Sequence, residues 1–274
     1  MRTAIYLILF IFISYSEILA QRSNKSTVEK LSKSVFEETT LTGLKFRSIG
    51  PAQTSGRVSD FAINPNNFKE YYVAAASGGV WKTVNAGTTY IPVFDEAGSY
   101  SIGCITMDPN NANVIWVGTG ENNNQRSVPY GDGVYKSIDG GETWKNMGLK
   151  SSEHIGKILV DPNNSNIIYV AAIGPLWSSG GERGVYKSVN GGETWRLMLG
   201  IDADTGINDL IMDPRDSQVI YAAAYQRRRH VFTYLGGGPS SGLHKSVDGG
   251  TTWVDINKGL PEVDMGRIGM AMAP

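Results

Sequence analysis

The residues of this chain whose chemistry suits a ligand sit in three irregular stretches. Residues 120–132 carry Glu121, Asn122 and Arg126; residues 174–183 carry Trp177 and Arg183; residues 225–241 begin with Tyr225 and continue through Arg227, Arg228, Arg229, His230 and Tyr234. Arg57 adds a guanidinium near the start of the region that repeats. Amides bond hydroxyls and peptide groups, guanidinium groups bond oxygen acceptors in pairs, and aromatic rings pack flat against apolar ring faces. Such a set suits recognition of a glycan or a peptide. It names no catalytic residue.

Patterns that would specify a reaction fail on context. Gly238-Pro-Ser-Ser-Gly242 has the spacing of a nucleophile elbow, but that turn needs a strand before it and a helix after it. An irregular stretch precedes this copy and a strand follows it. His154 and His230 lack partners at metal-ligand spacing. His244 takes the strand position that Trp81, Tyr135 and Tyr186 hold in other repeats. No phosphate-binding glycine loop is present, so neither metal nor cofactor is expected. Cys104 is the single cysteine, which excludes an intrachain disulfide, and it reads as a small buried hydrophobe. A net charge of −1 over 274 residues gives no bulk attraction to nucleic acid or an anionic membrane.

The elements that must position those residues come from a repeat. Lys82-Thr-Val-Asn-Ala-Gly-Thr-Thr-Tyr90, Lys136-Ser-Ile-Asp-Gly-Gly-Glu-Thr-Trp144, Lys187-Ser-Val-Asn-Gly-Gly-Glu-Thr-Trp195 and Lys245-Ser-Val-Asp-Gly-Gly-Thr-Thr-Trp253 read alike. A second marker precedes each copy: Asn64-Pro65, Asp108-Pro109, Asp161-Pro162 and Asp213-Pro214. Each unit parses into four short strands, A to D, and about 50 residues per unit matches a propeller blade. The expected fold is all-β: a β-propeller of four-stranded blades near residues 56–95, 101–148, 155–199 and 207–257, with a fifth begun at 266. A seven-bladed ring at this spacing needs about 380 residues, so about four blades in an open, incomplete ring are expected.

The repeated turn has a physical role. Glycine accepts positive φ, and the Asp or Asn side chain bonds amides further along the turn, helped by the Ser hydroxyl. Asn85, Asp139, Asn190 and Asp248 are therefore read as structural, and Trp144, Trp195 and Trp253 as plugs between sheets. The pattern Ser-x-Asp-x-Gly-x-Thr-Trp resembles the Asp box of bacterial neuraminidase repeats. Phe46-Arg-Ser-Ile-Gly-Pro51, Ser55-Gly-Arg-Val58, Val117-Gly-Thr-Gly-Glu-Asn122 and Tyr130-Gly-Asp-Gly-Val-Tyr-Lys-Ser137 extend the likeness over residues 46–274. That region resembles exported bacterial propellers described as sortilin-like or glycosyl-hydrolase-like. The resemblance implies the N-terminal part of a longer protein. Xyloglucan-hydrolysing propellers are similar too, and the resemblance places their catalytic aspartate, at the end of strand B of the first blade, at Ser77. Serine cannot replace a carboxylate in that reaction.

Alternating strands send the A–B and C–D turns to one face. The B–C and D–A connections share the other, where the length varies and function is expected. A module binding glycan or protein there is the leading reading. The alternative is part of a carbohydrate-active enzyme whose carboxylates lie partly outside this chain. Residues 1–20 read as a signal peptide, with Arg2, an apolar run from Ala4 to Ile13 and Ala20 before the cut. Export to the periplasm, the medium or the cell surface follows, with no transmembrane span after cleavage. Residues 21–44 form an N-terminal segment with one possible short helix over 26–38.

Overall fold

Each repeat folds into an antiparallel sheet whose strands follow chain order. The first contains β1 (Val58–Ile63), β2 (Tyr71–Ala75), β3 (Gly79–Thr83) and β4 (Ile91–Pro92), and the second β5 (Ile102–Asp108), β6 (Asn111–Thr119), β7 (Val134–Ser137) and β8 (Lys145–Asn146). The third contains β9 (Ile155–Asp161), β10 (Asn164–Ala172), β11 (Gly184–Ser188) and β12 (Arg196–Leu199). The fourth runs β13 (Thr205–Asp213), β14 (Asp216–Arg229), β16 (Gly242–Ser246) and β17 (Val254–Asp255), with β15 (Tyr234–Gly236) paired to the end of β14. The computed structural model describes residues 56–123 and 128–273; the expected signal peptide, the segment 21–44 and Arg126 lie outside them.

The first strand of each sheet packs on the first strand of the next, β1 on β5, β5 on β9 and β9 on β13. Apolar residues from adjacent sheets then meet in three clusters. Tyr72 and Phe94 of the first sheet face Ile105 and Val117 of the second, and Trp116 faces Ile158 and Val170 of the third. The arc is open at the first sheet: Phe61 and Ile63 are 52% and 51% exposed, while their counterparts Ile105 and Met107 are 2% and 9% exposed. Burying such a face is what stacked sheets contribute to stability.

The repeated turns close each sheet with one bond set. Gly87, Gly141, Gly192 and Gly250 donate their amides to Thr83, Ser137, Ser188 and Ser246 hydroxyls at 2.8 to 3.0 Å. Thr89, Thr143, Thr194 and Thr252 amides reach the Asn85, Asp139, Asn190 and Asp248 side chains at 2.8 to 3.0 Å. The Thr143 and Ser137 hydroxyls hold the Asp139 carboxyl at about 2, and the Thr252 and Ser246 bonds do the same for Asp248. These carboxylates are consumed by their own turns.

Neighbouring sheets are stitched by the same turns. Lys82, Lys136 and Lys187 donate to the carbonyls of Gly140, Gly191 and Gly249 in the following sheet, at 3.1, 3.1 and 2.8 Å. Each lysine also lies over an aromatic ring of its own sheet: Tyr72, Trp116 or Tyr169. Trp144 and Trp195 point the other way and donate indole N–H groups to Val93 and Met147 of the preceding sheet, at 2.5 and 2.7 Å.

Candidate functional site

The second-to-third-strand connections and the sheet-to-sheet links come together at the end of the sheets opposite the repeated turns. Gly131 donates its amide to Glu153 at 2.7 Å, and Ser101 donates its hydroxyl to Pro129 at 2.9 Å. Arg227 and Arg229 amides reach the Asp204 and Leu176 carbonyls at 2.9 and 2.8 Å. Antiparallel order requires this meeting, and backbone bonds between loops fix it.

Glu121 is the buried acid of this rim, 0% exposed. Its Oε1 accepts from Arg57 Nη2 and from Asn123 Nδ2, and Oε2 has no hydrogen-bond partner. Its main-chain carbonyl accepts from His154 Nδ1 at 2.8 Å. A carbonyl only accepts, so the neutral imidazole carries its hydrogen on Nδ1. Burial, then the charges of Arg227 and Arg183, pulls His154 down to about 3. Asn122 turns inward and donates to the carbonyls of Gly103 and Gly156 at 3.0 and 3.3 Å, joining β5 to β9.

Arg183 also turns inward. Its guanidinium donates to the carbonyls of Gly180, Ile173, Ser178 and Pro175, gathering residues 173–183 around one side chain. A Cβ on Gly174 would lie 2.2 Å from that side chain, so the turn at φ +87° leaves room for it. Trp177, carried by the same loop, stands 58% exposed.

The stretch expected to be a loop from residue 225 is strand to Arg229. Thr205 and Gly206 of β13 pair with Gln226 and Tyr225, and β15 pairs with Arg227, Arg228 and Arg229. Alternation puts Tyr225, Arg227 and Arg229 on one face. Arg229 lies 4.7 Å from the Tyr234 ring centre and 5.8 Å from that of Trp177. The Tyr225 and Tyr234 hydroxyls are 2.9 Å apart, and burial, then that hydrogen bond, raises the Tyr225 pKa. Arg227 is 1% exposed and donates from Nη2 to the Asn123 carbonyl at 3.4 Å. Arg228 pairs with Asp204 at 3.3 Å.

The described candidates thus share one end of the arc, with different roles there. Arg57 and Glu121 form an ion pair; Asn122, Arg183 and Tyr225 are buried and hold loops; Trp177 faces solvent. Arg227 and Arg229 were legible only as a basic run, although Tyr225-x-Arg227-x-Arg229 continues the period of two from the apolar strand before it. Burial pushes the Cys104 thiol to about 12, which removes it as a nucleophile. Among the described residues no group of three His, Cys, Asp or Glu is placed to hold a metal ion, and no helix is long and apolar enough to cross a membrane. A groove of about 970 Å³ lies elsewhere, between the outer parts of the first two sheets, lined by Val84, Glu96, Glu142 and Trp144. A smaller one recurs between the second and third, so it reflects the divergence of successive sheets rather than a unique site.

No family model matches the chain. It is 23% identical over 264 residues to a xyloglucanase of Paenibacillus sp., covering 86% of this chain and 24% of that protein. A xyloglucanase of Hypocrea jecorina is 28% identical over 176 residues, covering 59% and 20%. The chain therefore spans about a quarter of the length of these relatives. An ancestral GH74 enzyme superposes with a TM-score of 0.59 at 23% identity, over 75% of this chain and 26% of that one. The GH74 xyloglucanase of Xanthomonas campestris gives 0.54 at 18% identity, over 72% and 29%. These likenesses show the fold: four successive sheets of a β-propeller of the kind found in GH74 enzymes.

Proposed function

We propose that this chain is part of an exported Asp-box propeller that recognises a glycan through the rim opposite its repeated turns. The observation that carries this reading is the rim itself. Buried arginines and an acid fix its loops, and Trp177 stands out from it beside Arg229. An exposed indole next to fixed polar groups matches what a sugar ring offers, an apolar face edged by hydroxyls. The xyloglucanase names of the relatives agree with a carbohydrate ligand. The hydroxyl and amide bonds of the four turns support the Asp-box reading, and they leave Asp139 and Asp248 no part in binding.

The test is affinity electrophoresis of the chain in gels containing xyloglucan, other plant and bacterial polysaccharides, or none. Retardation by at least one polysaccharide, reduced in Trp177→Ala and kept in Asp139→Ala, is expected. Equal mobility in every gel would end the glycan reading and leave a protein ligand.

A second reading, part of a carbohydrate-active enzyme, rests on the same relatives. Ser77 stands against it for xyloglucan, because hydrolysis needs a carboxylate pair and Glu121 is already committed to Arg57. Release of reducing ends from xyloglucan by this chain, lost in Glu121→Gln, would reverse the preference.

A further inference from the structure

Arg227 is the least expected group on the rim. It is a fully buried side chain whose Nε and Nη1 have no hydrogen-bond partner. Among the described residues it forms no ion pair with a carboxylate; the salt bridges of the rim join Arg57 to Glu121 and Arg228 to Asp204. Burial depresses its pKa first; the Tyr234 and Tyr225 hydroxyls, Tyr234 also through a hydrogen bond, partly offset this, and the exposed cation Arg267 adds to it. Arg267 is carried by the segment after β17, which is tied to the rim by the Gly238 amide donating to the Met265 carbonyl at 3.1 Å. Two guanidinium groups, one buried with idle donors and one facing solvent, therefore sit together beside the Tyr225 and Tyr234 hydroxyls.

A buried cation without a counter-charge is costly, and idle buried donors add to the cost. A neutral sugar would offer hydroxyls and leave both charges unbalanced. A carboxylate or sulfate would balance them and accept the fork of N–H donors that arginine presents. Trp177 supplies an exposed ring on the same rim, as a sugar chain requires.

We propose that the ligand is an acidic polysaccharide whose carboxylate or sulfate groups pair with Arg267 at the surface and balance the charge of Arg227 buried behind it, while its rings pack on Trp177. This rests on the glycan reading above and narrows it to a substrate class.

The experiment is isothermal titration of the 274-residue chain with polygalacturonate, with fully methyl-esterified polygalacturonate, with xyloglucan and with polyglutamate. Polygalacturonate is expected to bind, and esterification to weaken it by about tenfold or more, since each charge-assisted pair is lost. Arg267→Gln, an exposed substitution that leaves the fold intact, should weaken it by about tenfold as well. Arg227→Gln should do the same, with circular dichroism confirming that it folds. Trp177→Ala should weaken polygalacturonate binding and leave polyglutamate unchanged. Binding of xyloglucan or the methyl ester in preference to polygalacturonate would overturn the acidic class and leave the glycan reading standing. Polyglutamate binding as tightly as polygalacturonate would reduce the site to a charged patch and overturn the proposal. Failure of every polysaccharide would remove both readings.

Discussion

His154, in the link between the second and third sheets, donates its Nδ1 hydrogen to the main-chain carbonyl of Glu121 2.8 Å away. Burial, then the charges of Arg227 and Arg183, keep the imidazole neutral, and its folded pKa of about 3 lies well below the ordinary 6.5. As pH falls through 6.5 the unfolded chain takes up a proton that the folded chain refuses. Stability is therefore complete above about 6.5 and declines down to about 3. Asp139 and Asp248, held at about 2 by their turn hydroxyls, add a separate loss that begins near pH 4, where unfolded carboxylates protonate. Melting temperatures recorded from pH 7.5 to 5 should fall on acidification. His154→Gln, which keeps a donor and lacks the titration, should flatten that slope; an unchanged slope would acquit His154.

Trp195 predicts how strongly successive sheets depend on each other. Its indole N–H reaches the Met147 carbonyl at 2.7 Å and its ring packs edge-on to Trp116 at 6.5 Å. Trp195→Ala removes both and should cost about 3 kcal/mol in urea unfolding. Trp195→Phe keeps much of the ring and leaves Met147 without its donor, for about 1 kcal/mol. A larger loss for phenylalanine than for alanine would contradict this division.

The first turn carries a strained substitute. Ala86 adopts φ +57° where the other three turns place Gly140, Gly191 and Gly249 at +70°, +70° and +65°. A left-handed alanine costs about 1 kcal/mol relative to glycine. Ala86→Gly should therefore raise stability by about that amount, read as a higher urea midpoint at constant m-value. No gain would mean that the added freedom of the unfolded glycine cancels the relief.

These turns show why the architecture was readable. Their bonds run between residues two and four apart, so Thr83, Asn85 and Thr89 rebuild the whole set although the first copy departs from the pattern. The rim was legible only in its location. Arg183 collects carbonyls from Ile173 to Gly180, and Asn122 reaches Gly103 and Gly156. Nothing local marks these side chains as inward. The strand at Arg227 to Arg229 depends on Leu176, Asp204 and Leu235 from separate segments. Its arginines read as solvated because Asp204 and Leu176, which accept from the Arg227 and Arg229 amides, are distant in sequence.

The Arg57–Glu121 pair is asymmetric, and the asymmetry sets the last prediction. The Arg57 side chain is 45% exposed, whereas that of Glu121 is 0% exposed. Arg57→Ala leaves a carboxylate in the interior with Asn123 as its remaining side-chain donor. Removing one partner of such a pair costs about 3 kcal/mol, because the burial penalty of the other stays. Glu121→Gln leaves Arg57 where water can solvate it, and should cost about 1 kcal/mol. The double variant should then be more stable than Arg57→Ala alone, since the amide no longer needs the counter-charge. Urea unfolding of the three variants decides the matter: if Glu121→Gln proves the costlier single change, the buried charge is compensated by a group other than Arg57.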